Sequence, residues 1–343
     1  MVSETPVPGA EPAPAAESAP LSADSPYRTD YPGKKTGSDE TLFVAEAGVN
    51  PTLADTLEKV EGLRWVGKLA GNGGRDVAIL VPPGYNPDLP TEVVYHFHGS
   101  DHTIGMKVPK GGSKGKLSVG EDRFSQVISA AETRDRSKRN VIVVYPLSAT
   151  NATRVLKSHS GNTHYYDNNW MKAGYTQKGD EKLDNMNDLH TQTMTVLQKQ
   201  LGINPTNIDI TFKGHSAGGK PLMNLSSSFT PPSNVGKLRF DFLDASYGNW
   251  ADTCYRQMTT RVVQVPIEFN LFLIPGAITN ASVRRLQNKQ GVHVEKANVT
   301  YADLVTRYKS TLMEAKYTKA SSKKRVAHGD LNATYFNWER SPE

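Results

Sequence analysis

The residues Gly214-His215-Ser216-Ala217-Gly218 form a Gly-x-Ser-x-Gly pattern directly after an apolar stretch. A serine hydroxyl is a weak nucleophile unless a sharp turn holds it out toward a base, and glycines two positions before and after it let the chain bend that tightly. Ile208, Ile210 and Phe212 alternate as in a strand, and the residues beyond the turn suit a helix. The pattern predicts a nucleophilic serine that makes and breaks acyl bonds. The alternative is a glycine-rich surface turn with an ordinary serine.

Short apolar segments alternate with helical patterns along most of the chain. Residues 63–70 and 77–81 flank Gly71-Asn72-Gly73-Gly74, which predicts a hairpin. Further strands are predicted at residues 93–98, 141–145, 208–212, 238–243 and 269–274. Helices are predicted at residues 51–60 and 250–260 and directly after Gly219. Two more are indicated by apolar residues at helical spacing, which are Phe124, Val127, Ile128 and Ala131 in one and Leu189, Val196, Leu197 and Leu201 in the other. A last helix is predicted after the cap Thr300-Tyr-Ala-Asp303, with Leu304, Val305, Tyr308 and Leu312 on its apolar face. This alternation indicates an α/β three-layer sandwich, a mostly parallel central sheet flanked by helices.

The chain divides into a tail and one domain. Residues 1–40 are rich in Pro, Ala, Glu and Ser, a composition that buries too little apolar area to offset the entropy of ordering, so we expect a disordered tail. Residues 41–343 are expected to form a single domain. Within it, residues 147–187 are long and polar for a connection and contain several histidines and aromatic residues, which predicts an insertion that shapes the substrate cleft.

The chain resembles the α/β-hydrolase superfamily, in particular its serine esterase and lipase-like members. The resemblance rests on a strand that ends in His98-Gly99, then the Gly214 to Gly218 turn, then a carboxylate and a late histidine, and it covers roughly residues 60–335. It implies the α/β-hydrolase fold and a serine hydrolase with a catalytic triad and an oxyanion hole, esterase activity being the first expectation.

The resemblance also assigns roles to residues. It implies that Ser216 is the nucleophile and that His328 is the base, since His328 follows the last predicted strand and helix. His293 is a weaker candidate for the base because its surroundings suit a strand. The oxyanion donors would be the backbone amides of Ala217 and of Ser100 or its neighbour Gly99, the position after the first strand end.

The triad acid is less well defined by the sequence. Many superfamily members place it after the strand that precedes the final helix, but residues 275–280 contain no carboxylate. Asp244 directly follows the predicted strand at 238–243, beside the strand of the nucleophile, and a carboxylate there reaches the Nδ1 atom of a histidine. Asp244 is therefore the expected acid, with Asp252 as second candidate and Asp241 as third.

The substrate follows from the composition of the cleft. We expect His98, His215, Tyr166 and Trp170 to line it, and polar and aromatic residues suit a carbohydrate-linked or cell-envelope acyl ester, polymers included, better than a long lipid chain. An amidase or peptidase of the same fold is the second reading. A catalytically silent binding module is a third, favoured by the missing late carboxylate.

A metal-dependent hydrolase is a further alternative. The stretch His96-Phe-His-Gly-Ser-Asp-His102 resembles the His-x-His-x-Asp-His motif of metallo-β-lactamase-like enzymes, in which His96, His98, Asp101 and His102 would bind metal. There is one residue too many before the aspartate, and paired metals tolerate such shifts poorly. We therefore expect neither a metal nor another cofactor.

Composition limits the remaining classes. The 343 residues have a formal charge of +5, 37% apolar residues and one cysteine, Cys254, which excludes an internal disulfide. No stretch is apolar enough to span a membrane, and the basic clusters have no nucleic-acid motif beside them. The oligomeric state has no signal in the sequence.

The tail is typical of an exported domain, so we expect a secreted or cell-envelope protein whose leader precedes this sequence, with a cytoplasmic protein as the alternative.

Overall fold

The computed structural model describes residues 42–99, 107–109, 117–119, 123–132, 137–147, 170–172, 184–261, 263–274, 280–297, 300, 303 and 325–338. Several predictions fall outside these ranges. They concern the tail at 1–40, most of the insertion at 147–187 with Tyr166, the helix carrying Leu304 and Leu312, and the positions Ser100, Asp101 and His102.

Eleven strands are present in the described residues, nine of them in one sheet. Their bounds are β1 Leu42–Ala45, β2 Leu63–Leu69, β3 Arg75–Val81, β4 Thr91–Phe97, β5 Lys107–Pro109, β6 Leu117–Val119, β7 Asn140–Pro146, β8 Ile208–His215, β9 Val235–Leu243, β10 Ile267–Leu273 and β11 Val292–Lys296. The order in the large sheet is β1-β2-β3-β7-β4-β8-β9-β10-β11, and β5 pairs with β6. Within the large sheet β3 runs antiparallel to both of its neighbours and the other pairs are parallel, whereas β5 and β6 pair antiparallel.

Seven α-helices have described bounds: α1 Pro51–Glu58, α2 Arg123–Glu132, α3 Met186–Gln200, α4 Gly219–Leu225, α5 Trp250–Thr260, α6 Asn280–Leu286 and α7 Leu331–Tyr335. Two separate apolar clusters cover the two faces of the sheet. Alternate strand residues divide between them, with Val77 and Ile79 in the cluster of α3 to α6 and Ala78 and Leu80 in the cluster of α1, α2 and α7. The molecule therefore has three layers, and the expected α/β architecture, a mostly parallel central sheet flanked by helices, is confirmed.

Most of the predicted elements are confirmed, with small shifts at their ends. β2 and β3 form the predicted antiparallel hairpin, and α5 begins and ends at the predicted residues. Thr300 and Asp303 make the reciprocal bonds of a helix cap, in which the Thr300 N–H donates to the Asp303 carboxylate at 2.7 Å. The short strands β1, β5 and β6 were not predicted as elements, because three or four residues give too little periodicity, whereas β11 lies where the surroundings of His293 suited a strand.

No helix in the described ranges combines the length and the apolar character that a bilayer crossing requires.

Two buried histidines make the stability of this fold depend on pH. His190 of α3 hydrogen-bonds Tyr95 at 2.7 Å, and His98 lies just beyond β4. Burial lowers the pKa of each imidazole to about 4. In the unfolded chain each accepts its proton near pH ~6.5. Between these two pKa values the unfolded state binds more protons than the folded state. The free energy of unfolding therefore decreases as the pH falls from ~6.5 toward ~4, by on the order of 3 kcal/mol for each histidine.

We expect the variant His190→Gln to lose part of this pH dependence. Glutamine does not titrate, so the fall in the free energy of unfolding between about pH 7 and about pH 5 should be smaller than in the wild type. Urea unfolding midpoints of both proteins at the two pH values measure the difference. Parallel losses in the two proteins would contradict the assignment.

Candidate active site

Three adjacent strands bring their carboxyl ends together at one edge of the sheet. β8 lies between β4 and β9, and all three run parallel. His98 and Gly99 follow β4, Ser216 follows β8 and Asp244 follows β9. Carboxyl ends of parallel strands are where sites form in open α/β sheets. The topology thus groups residues that are up to 146 positions apart in the sequence.

Ser216 stands on a strained turn between β8 and α4. Its φ angle is +52°, in the left-handed region that a side chain with a Cβ atom rarely adopts. The turn is closely packed: a Cβ atom on Gly214 would lie 2.6 Å from the carbonyl oxygen of Gly218, and one on Gly218 would collide with the carbonyl oxygen of Phe97. Glycine at both positions therefore lets the turn bend back against the end of β4, where Ser216 is 8% exposed.

His328 is held by Asp244. The Nδ1 atom of His328 lies 2.7 Å from Oδ2 of Asp244, and the carboxylate side chain is 7% exposed while the imidazole is 35% exposed. Asp244 itself has a φ angle of +46°, and its N–H donates to the carbonyl oxygen of Phe272 at 2.7 Å. A buried carboxylate on a fixed backbone thus orients a histidine whose other ring nitrogen remains available.

His215 fixes the backbone of His328. Its Nε2 atom donates to the carbonyl oxygen of His328 at 2.9 Å, and the two rings lie 4.6 Å apart. The structure therefore brings the imidazole of His328 beside the residue that precedes Ser216. A direct Ser216 Oγ to His328 Nε2 hydrogen bond is not among the contacts of these two described side chains.

Tyr247 is a site residue that sequence reasoning missed. Its hydroxyl lies 3.4 Å from Oγ of Ser216. Burial raises the pKa of the phenol, and the charge of Asp244 adds to this increase while the bond to Ser216 opposes it. The sequence carried one signal, an aromatic residue three positions after the predicted acid, but no motif assigns such a position.

The predicted oxyanion donors come from the turn itself and from the end of β4. Ala217 is in the 3₁₀ turn Ser216–Gly218 that leads into α4, where the first N–H groups have no acceptor within the helix. Gly99 is buried and follows β4, against which the turn packs. Ser100 is beyond the described residues.

The substrate-binding roles predicted for His98, His215 and Trp170 need correction. All three residues are at most 1% exposed, so they offer a substrate no surface in this structure. The indole N–H of Trp170 donates to the side-chain oxygen of Asn72 at 3.0 Å, and the backbone carbonyl oxygen of Trp170 accepts from the side-chain amide of Asn224 at 2.8 Å. Trp170 instead packs against Phe97 and His98 at the end of β4, with ring centroids 5.4 and 5.9 Å away.

The metal alternative rests on one strand and on residues that are not described. His96 is fully buried and stacks on Tyr145, with ring centroids 5.5 Å apart. His98 stacks on the same tyrosine at 5.8 Å. Within the described part of the chain no group of three His, Cys, Asp or Glu residues is arranged to hold a metal ion. Asp101 and His102 are outside this part, so the motif stays an alternative reading.

The other candidate residues have different partners. Asp252 binds Arg285 at 2.6 Å and Ser282 at 2.7 Å, and these bonds lower the pKa of its carboxyl against the effect of burial. Asp241 is fully buried between cations. His293 lies on β11 and stacks on Trp338 at 4.6 Å. The structure therefore joins His328 to Asp244 and leaves Asp252, Asp241 and His293 in other contacts.

A buried ionic cluster anchors the segment that carries His328. The cluster consists of Lys213 on β8, Arg239 and Asp241 on β9, and Asn270 on β10. Asp241 accepts from Lys213 at 2.9 Å, from Arg239 at 2.8 Å and from Asn270 at 2.7 Å.

The two cations of this cluster reach the end of the described chain. Lys213 donates to the carbonyl oxygens of Tyr335 and Phe336 at 3.1 and 3.0 Å, and Arg239 donates to that of Trp338 at 2.8 Å. The cluster thus ties residues 335–338 to β8 and β9, the strands that lead to Ser216 and Asp244.

Comparisons with known proteins give similarities to solved structures at low sequence identity. No protein-family model matches the sequence, and no curated protein gives a significant match. The solved siderophore hydrolase EstB from Aspergillus nidulans is 12% identical at a TM-score of 0.37, over 68% of this chain and 87% of that one. The S-formylglutathione hydrolase from Agrobacterium tumefaciens is 12% identical at a TM-score of 0.35, over 64% of this chain and 79% of that one. A thermostable esterase is 14% identical at a TM-score of 0.36, over 74% of this chain and 61% of that one. These similarities concern the fold and carry nothing about substrate.

Proposed function

We propose that this chain, which has the α/β-hydrolase fold, is a serine hydrolase that cleaves an ester through an acyl-enzyme. Ser216 is the nucleophile, His328 the general base and Asp244 the residue that orients the imidazole. The backbone amides of Ala217 and of Gly99 or Ser100 are the oxyanion donors. No cofactor takes part.

The proposed steps use these groups in order. His328 takes the hydroxyl proton of Ser216 as Oγ attacks the ester carbonyl carbon, and the amides stabilise the negative charge on the carbonyl oxygen. The protonated imidazole, held by Asp244, then gives its proton to the leaving alcohol. Water attacks the acyl-enzyme by the same route and releases the acid.

The observation that carries the proposal is the 2.7 Å bond between His328 Nδ1 and Asp244 Oδ2 at the edge where Ser216 leaves β8. The missing late carboxylate was the main support for a silent binding module. Asp244, at the end of the neighbouring strand, supplies a carboxylate to His328 in its place. This weakens the support for a silent binding module. The positive φ angle of Ser216 also favours catalysis, because strain of this kind is retained at functional turns.

The substrate class is a proposal from the sequence. The polar and aromatic composition of residues 147–187 favours a carbohydrate-linked or cell-envelope acyl ester, which would agree with a protein that acts outside the cytoplasm. An amide or peptide bond is the second candidate, since the same triad and oxyanion donors serve both reactions.

A fluorophosphonate probe tests the proposal. The probe phosphonylates an activated serine, so the wild-type protein is expected to become labelled at Ser216 and the variant Ser216→Ala to remain unlabelled. The matched control is Ser226→Ala, since Ser226 is buried on α4's carboxyl side and bonds Met223 and Gln257. Mass spectrometry of the labelled peptide identifies the site. An unlabelled but folded wild type would point to a binding module, and activity that a chelator removes would point to the metal reading.

A further inference from the structure

We propose that Tyr247 is a further residue of the active site, which donates a hydrogen bond to the oxygen of the leaving group and so favours esters of unactivated alcohols. This inference rests on the proposed serine hydrolase function. It begins from the contact between the Tyr247 hydroxyl and Oγ of Ser216 at 3.4 Å.

The topology of the sheet decides which part of the reaction Tyr247 faces. β4 lies on one side of β8 and β9 on the other. Gly99, a proposed oxyanion donor, follows β4, whereas Asp244 and Tyr247 follow β9. Tyr247 therefore belongs to the same strand end as Asp244, the partner of His328, whereas Gly99 belongs to the strand on the other side of β8. The leaving group must also lie near the His328–Asp244 pair, because His328 delivers its proton.

The loop that carries Tyr247 is held in place by its neighbours. Ser246 bonds Ser282 at 2.5 Å and accepts the N–H of Ala251 at 2.9 Å. The ring of Tyr247 packs edge-on against Trp250, with centroids 5.4 Å apart. A hydroxyl on a fixed loop is pre-organised as a hydrogen-bond donor, since little entropy is lost when it binds.

Tyr247 remains protonated throughout the proposed reaction. Burial and the nearby charge of Asp244 raise the pKa of its hydroxyl, so at neutral pH it is a donor and not an anion. In the acylation step the bond between Ser216 Oγ and the carbonyl carbon forms and the bond from that carbon to the leaving oxygen breaks. The proton that His328 took from Ser216 passes to the leaving oxygen. Tyr247 stabilises the developing charge on that oxygen and keeps its own proton.

The variant Tyr247→Phe tests this role with two esters of one acid. An ethyl ester has a leaving group that needs stabilisation, whereas a 4-nitrophenyl ester does not. We expect kcat/KM for the ethyl ester to fall by roughly 10- to 100-fold, mainly through kcat, and that for the 4-nitrophenyl ester to change by less than about threefold. The phenylalanine ring preserves the packing on Trp250.

The control variant is Tyr255→Phe, which removes a hydroxyl of α5 that donates to the carbonyl oxygen of Gln290 at 3.2 Å, in the turn between α6 and β11. It should leave both rates unchanged. The role of Tyr247 is wrong if Tyr247→Phe lowers the rates for both esters by the same factor or leaves both unchanged. The hydrolase proposal still stands in that case, provided that fluorophosphonate labels Ser216. If the wild type is not labelled and hydrolyses neither ester, both proposals are wrong.

Discussion

The variant His328→Ala is expected to lower kcat/KM for an ester by roughly 10⁴- to 10⁶-fold, with the fold intact. Without the imidazole no group takes the proton of Ser216 or returns it to the leaving alcohol, and the residual rate comes from the oxyanion donors and binding alone. The measurement is steady-state hydrolysis of a 4-nitrophenyl ester, with the thermal unfolding midpoint as the check on folding. His328 is 35% exposed in its side chain, so its removal leaves no large internal cavity.

His293→Ala is the matched control for this result. His293 is the other late histidine, and its contacts are Glu295 at 3.5 Å and the ring of Trp338. Its loss should leave the rate within about threefold of the wild type, because it does not touch the site. The base would be misassigned if His293→Ala abolished activity or if His328→Ala retained more than about a tenth of it.

The variant Asp244→Asn is expected to lower kcat by roughly 10³- to 10⁴-fold with little change in KM. Asparagine keeps the size of the side chain, but its amide no longer accepts the Nδ1–H of His328 as a carboxylate does. The imidazole then adopts the wrong tautomer and its protonated form loses the stabilising charge. A pH–rate profile together with kcat and KM separates this effect from a general loss of structure.

Asp252→Asn is the control for the acid. Asp252 bonds Arg285 and Ser282, whereas Asp244 bonds His328, so replacing Asp252 should affect stability more than the chemical step. A larger fall in kcat for Asp252→Asn than for Asp244→Asn would reverse the two roles. Unchanged kcat in both variants would remove the carboxylate from the mechanism.

The sequence was sufficient for the fold because the strands are long enough to show their pattern. Ile210 and Phe212 mark β8 by alternation, and the glycines on either side of Ser216 identify the turn that follows. The pairing of Asp244 with His328 was predictable on geometric grounds. A carboxylate directly after β9 lies at the same sheet edge as Ser216, since β8 and β9 are neighbours in the sheet.

The remaining parts of the site depend on tertiary contacts that have no local pattern. Tyr247 reaches Ser216 only because the loop after β9 folds back, and no spacing in the sequence encodes that path. The burial of His98 and Trp170 was also not predictable. Polar and aromatic residues near a cleft suggest contact with substrate, but here they pack below the strand ends.

The link between the ionic cluster and residues 335–338 means that catalytic competence and the integrity of the whole sheet form one cooperative unit. Detaching the stretch that bears His328 would leave the Lys213 ammonium and the Arg239 guanidinium paired with Asp241 but without the carbonyl oxygens of residues 335, 336 and 338, which costs free energy because these donors are buried. Partial opening is therefore disfavoured, and inactivation by heat should coincide with global melting instead of preceding it.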